Sequence, residues 1–112
     1  MLGLCQKAGK LKSGEFACET AVKGYEAYLV IIASDASGNT KKKFNDMCSY
    51  YETECAEYGT KDTLAAAIGK EERSSIAICD EGFAKAIKKL LAPSAKLMEP
   101  NEKTDSSEEV TT

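Results

Sequence analysis

A chain of 112 residues, 43% hydrophobic and 29% charged, is sized and composed for one soluble globular domain. No apolar run in it approaches the roughly 18 to 20 residues of a membrane-spanning helix. Net charge is −3, and residues 93–112 hold five acids and two lysines, so residues 1–92 carry thirteen cations against thirteen anions, a balance that weighs against indiscriminate nucleic-acid binding driven by counterion release.

Taken in chain order, "LGLCQKAG" reads as a short helix ending at Gly9, and it lacks the basic head and long apolar stretch of a secretory signal. A strand end follows at Leu11 and Lys12. Ser13 is expected to cap the next helix, with Glu15 in its first turn and Gly24 closing it. "YLVIIAS", residues 28–34, is apolar without alternation, as a centrally buried strand should be. A helix is predicted from about 39 to 52, with Phe44, Met47, Cys48 and Tyr51 at helical spacing. "ECAEY", 54–58, is a weaker strand. Thr60 caps a helix with Leu64, Ala67 and Ile68 as its apolar stripe, closed by Gly69. "SSIAIC", 74–79, is a strand, and Asp80 caps a last helix that buries Phe83, Ala84, Ile87 and Leu91 and stops at Pro93. Such alternation with short loops predicts an α/β/α sandwich over residues 1–92, followed by a disordered acidic tail over 93–112.

The residue types restrict the chemistry. There is no histidine, which excludes Ser-His-Asp and Cys-His catalysis and imidazole metal sites. The five cysteines, at 5, 18, 48, 55 and 79, include no C-x-x-C pair, so reduced, mostly buried thiols are expected rather than a disulfide framework or zinc knuckle. Cys79 precedes a helix start, where a dipole can lower a thiol pKa, but the preferred reading is a plain structural cysteine. Asp35 follows a strand as a phosphoacceptor would, but no acidic pair precedes it to hold a metal ion. No phosphate-binding glycine loop and no G-x-S-x-G elbow occurs. Neither catalysis nor a cofactor is expected.

Three features remain. At Ser13-Gly14-Glu15, helix-start N–H groups favour an anion, with Lys10 and Lys12 just upstream; the alternative is a plain helix cap with solvated lysines. In "GNTKKKFND", Lys41, Lys42 and Lys43 stand at a helix start and oppose its dipole, unless they are merely a solvated face. In "LAAAIGKEERSSIAI", Lys70, Glu71, Glu72 and Arg73 form a polar turn at one end of the sheet.

The runs "AYLVIIASDASGNTKKK…YY" and "LAAAIGKEERSSIAICDEGFAKAI", with "LGL", "AGK" and "SGE" upstream, resemble the kink-turn RNA-binding ribosomal protein superfamily, in its bacterial YlxQ-like branch, over about residues 2 to 91. The resemblance implies an α/β/α sandwich with a mixed four-stranded sheet. It also implies a ligand: an RNA duplex sharply bent beside tandem sheared G·A pairs, with the start of the second helix in the groove and the loop before the last strand on the unstacked bases. The superfamily motif at that helix is Gly, any residue, Asn, Glu, two residues, Lys. Here Gly14 matches, but Phe16, Ala17 and Thr20 replace the Asn, Glu and Lys. A good bidentate base contact is worth about 1 to 3 kcal/mol, so losing the set weakens specific binding by a hundredfold or more. In the last loop Leu64, Ala67, Gly69 and Glu71 match, while Glu72 and Arg73 stand where apolar residues usually follow.

The resulting expectation is a cytoplasmic, monomeric, non-enzymatic protein that binds structured RNA, kink-turn or ribosomal, without membrane contact and able to meet ribosomal proteins. Lys12, Ser13, Gly14 and Glu15 would face the RNA, flanked by Asn39, Lys42, Lys70, Glu71 and Arg73, with Lys42, Lys70 and Arg73 on phosphates. The rival expectation is a protein-interaction module of the same fold that has lost specific RNA recognition.

Overall fold

The computed structural model describes residues 2–91 and 96–97. Its elements in order are α1 (Leu2–Lys7), β1 (Leu11–Ser13), α2 (Glu15–Lys23), β2 (Leu29–Ile32), α3 (Gly38–Tyr50), β3 (Glu54–Glu57), α4 (Lys61–Ala67), β4 (Ser75–Ile78), α5 (Glu81–Leu91) and β5 (Lys96–Leu97). The sheet order is β1-β4-β2-β3-β5. Only β2 and β3 pair in parallel, joined through α3; every other pairing is antiparallel, so the sheet is mixed as expected. The four expected strands are present, and the two-residue β5 adds to the edge of β3. Within the segment expected to be a disordered tail, Lys96 and Leu97 are thus paired; the rest of 93–112 lies outside the described residues.

Helices cover both faces of the sheet. α2 packs beside α3, α1 lies against β1 and α5 against β4, and Gly3 of α1 comes close to the Ala67 carbonyl at the end of α4. Every residue of β2 and β4 is buried, which is why β2 and residues 76–78 of β4 read as unbroken apolar stretches. Phe44 and Cys48 of α3 reach the core from one side, Ala84, Ile87 and Leu91 of α5 from elsewhere. On α4 the buried stripe is Leu64, Ala65 and Ile68; Ala67, expected in it, is exposed, because the helix is short and faces the sheet along its other edge. Cys5, Cys18, Cys48 and Cys55 are buried free thiols. Burial pushes Cys5 up to about 11 and Cys18 up to about 12, so both stay protonated at neutral pH.

Register fixes what gathers at each end. Ile32 of β2 faces Ser75 of β4 and Glu57 of β3, and Ser13 of β1 faces Ile76. The ends of β1, β2 and β3 and the start of β4 therefore share one edge of the sandwich. The starts of α2, α3 and α4 and the 70–74 loop sit along that edge. The ends of α2 and α3 and the start of α5 occupy the opposite one.

Candidate RNA interface

The start of α2 is built differently from the expected cap. Gly14, not Ser13, is the N-cap, at φ 94°, and no side chain caps the helix. Only glycine takes that conformation without strain, and a Cβ built there would find no atom within 4 Å. The Gly14 N–H donates to the Ser75 carbonyl at 3.0 Å, so it is closed to a ligand, while Gly14's own carbonyl receives the first helical bond, from Cys18. The free first-turn donors are thus those of Glu15, Phe16 and Ala17, which precede that bond. Ser13 ends β1, and its Oγ accepts from Arg73 Nε at 3.3 Å.

Arg73 is a clamp. Besides Ser13, its Nη1 donates to the carbonyls of Glu71 at 2.6 Å and Glu72 at 3.1 Å, and its own N–H donates to the Lys61 carbonyl. The planar guanidinium closes the 70–73 loop and ties it to the end of β1. The Nε and Nη1 donors of Arg73, expected on a phosphate, thus have acceptors within the protein. Lys61 Nζ lies 3.6 Å from Glu72 Oε2.

The lysine run is compensated as well. Lys41 pairs with Glu57 of β3 at 3.2 Å, Lys42 with Asp46 one turn along α3 at 2.7 Å, and Lys43 with both Glu15 and Glu19 of α2 at 2.9 Å. Lys42, expected on a phosphate, is thus engaged with Asp46, in a solvent-exposed pair of the kind that contributes little to stability. Lys23 and Lys43 together hold the Glu19 carboxyl down at about 2. Ser37, missed in the sequence, caps α3: its Oγ accepts from the Thr40 N–H at 3.1 Å. The signal was present as serine three residues before threonine at a helix start. Asn39 is exposed in that first turn.

Thr60 caps α4 as expected, in a reciprocal box with Thr63. Asp35 accepts from the Lys61 N–H at 2.8 Å, a structural tie that accounts for it without phosphorylation. Lys70 and Glu71 are exposed after Gly69, and Lys12 is exposed on β1. Of the four predicted site cations, Lys12, Lys70 and Arg73 enter no ion pair among the described residues, Arg73 being held by hydrogen bonds instead. Cys79 lies at the opposite edge. Burial, with help from Glu26, raises its thiol pKa, in keeping with the structural reading of this cysteine and against an activated thiol.

Along one edge, then, the structure brings together all nine predicted residues: Lys12, Ser13, Gly14 and Glu15, Asn39 and Lys42, and Lys70, Glu71 and Arg73. The model of the ribosomal protein L7Ae/L30e/S12e/Gadd45 family matches residues 1–88. The chain belongs to that family. It is 42% identical over 91 residues to the RNA-binding protein YlxQ of Enterococcus faecium, a match spanning 81% of this chain and 87% of the other. Identity to the RNA-binding protein YlxQ of Bacillus subtilis (strain 168) is 38%, again over 91 residues, with 81% and 91% covered. A solved structure, that of a protein with unknown function from Bacillus halodurans C, superposes with a TM-score of 0.78 at 38% identity, covering 81% of this chain and 92% of that one. Among the described residues, no helix is long and apolar enough to cross a membrane.

Proposed function

We propose that this chain is a non-enzymatic, cytoplasmic RNA-binding protein, associated with the ribosome, that recognises kink-turn RNA or a similarly bent structured RNA. The observation that supports this most is the convergence, on one sheet edge of a member of this family, of the open α2 start, the α3 start and the clamped 70–73 loop. The two similar curated proteins carry the name RNA-binding protein, which favours the same reading.

The recognition works through shape more than through base edges. Ordinary A-form RNA has a major groove too narrow for side chains to read, whereas a sharp bend opens it to a helix corner. The Glu15–Ala17 N–H groups and the α2 dipole face a phosphate there, and Lys12 and Lys70 supply charge without breaking an internal pair. Arg73 acts by holding the loop in place, and Lys42 is recruited from Asp46 at little cost. The protein works as a monomer on this account.

The test is binding of a labelled kink-turn RNA at about 0.15 M salt with magnesium, beside the same RNA with its G·A pairs replaced. Tight binding that collapses on replacement is the expected result. Equal, weak, salt-sensitive binding to both contradicts it. That outcome favours the second reading, a protein-interaction module, for which the specific observation is the internal pairing of Lys41, Lys42 and Lys43.

A further inference from the structure

We propose that Phe16 is a stacking platform for an unpaired base of the bound RNA, a role that rests on the RNA-binding reading above. Phe16 is the second residue of α2 and lies about 200° around the helix from buried Cys18, so it points away from the core. At 83% exposure it is the most exposed large hydrophobic side chain among the described residues. Single exposed hydrophobics are common on protein surfaces, so exposure alone decides nothing. The surroundings decide it.

The other two most exposed rings are occupied with neighbours: Tyr25 and Tyr50 each meet Tyr51 edge-on, with centroids 5.4 and 4.9 Å apart. Phe16 has no ring partner among the described residues. Beside it the chain is bare at Gly14, where no atom lies within 4 Å of a Cβ position. One turn along, Thr20 donates its hydroxyl to the Phe16 carbonyl at 3.0 Å, so it offers no donor to the space next to the ring. The ring thus stands on a helix corner with open first-turn N–H groups and the unpaired Lys12 nearby in sequence.

This set suits a nucleotide whose base has left the stack: the base lies on the ring, and its phosphate meets the helix start. Every base has a π face, so stacking accepts the extruded base with little regard to its identity. A side chain reading base edges by hydrogen bonds would instead discriminate among bases.

The experiment measures affinity of the full chain for a labelled kink-turn RNA with Phe16→Ala and Phe16→Trp. It is repeated on RNAs in which each unpaired nucleotide of the bend is made abasic, or changed in identity. Phe16→Ala is expected to weaken binding about 5- to 150-fold, the range for one lost base–aromatic stack, and Phe16→Trp to restore it. One abasic position should abolish the difference between parent and Phe16→Ala, while base changes there have small effects. Unchanged affinity of Phe16→Ala overturns the proposal. So does a loss that persists equally on every abasic RNA, or strong base discrimination that Phe16→Ala leaves intact. Failure of the parent chain to bind any kink-turn RNA overturns the RNA reading itself, and this proposal with it.

Discussion

The two ends of the sandwich both expose aromatic rings, and they use them in opposite ways. At the end formed by the last turns of α2 and α3, Tyr25, Tyr50 and Tyr51 form a chain of edge-on contacts that joins the two helices. Tyr25 holds this place at φ 58°, a left-handed conformation unfavourable for a tyrosine, so the contact offsets local strain. At the other end Phe16 is more exposed still and touches no ring among the described residues, while the charged side chains around it are bound to one another. The contrast shows that exposure of an aromatic is a weak sign of function. Exposure without an internal partner, beside uncapped backbone donors, is a stronger one.

The largest effect that separates the two ends is on stability. Tyr51→Ala removes a partly buried ring with two aromatic neighbours and should destabilise the fold by about 2 to 4 kcal/mol, measured by denaturant unfolding, with RNA affinity unchanged. Phe16→Ala should do the opposite, leaving the unfolding curve in place. A loss of RNA affinity in Tyr51→Ala would break the division.

Arg73→Ala should lower stability by about 1 to 2 kcal/mol, since it removes three side-chain hydrogen bonds in a half-exposed loop, and should also weaken RNA binding by loosening 70–73. Arg73→Lys should fail to restore either property, because an ammonium cannot reach Ser13 and two carbonyls at once. Full rescue by lysine would mean that the charge, not the clamp, matters.

Among the cations, Lys12→Gln with Lys70→Gln should reduce the slope of log affinity against log salt by about 2, one for each lost phosphate contact. Lys42→Gln should change the slope less, because Lys42 must first leave Asp46. Reversal of that order, read from binding at several salt concentrations, would reassign the phosphate contacts.

The smallest effect concerns pH. Glu19 is held at about 2, below its ordinary value of 4.5, by Lys23 and Lys43. With the folded pKa depressed, the stabilisation is present in full above about pH 4.5 and is lost as pH falls toward 2. Thermal melts across that window should show Glu19→Gln flattening the acid limb, with little change at pH 7 beyond the lost exposed pairs. An identical acid limb in the variant would show that the tie between α2 and α3 is unimportant.

How much of this was legible in the sequence follows from how local each cause is. The buried strands announce themselves as apolar runs, and Thr60 and Asp80 are caps whose partners, Thr63 and Phe83, stand three residues on. All nine predicted site residues fall on one edge, which follows from a strand order and register that the sequence pattern did not contain; the resemblance supplied only the groups expected to meet the RNA. Their roles were less legible. Arg73 finds Ser13 across 60 residues and Lys43 finds Glu15 across 28, and no periodicity reports such pairs. Ser13 read as a cap because its residue type is right, but β1 continues through it and places the flexible glycine at the helix start. The lysine run read as a conflict with the helix dipole only because its acidic partners lie on other elements, or a turn away.

The most direct test of the division between the ends is a titration of the isotope-labelled chain with kink-turn RNA, following backbone amide signals by NMR. The account predicts large shifts at Gly14 to Ala17 and at Lys70 and Glu71, and unmoved signals at Tyr25, Tyr50 and Tyr51. Shifts centred on the tyrosine end, with the α2 start silent, would contradict it.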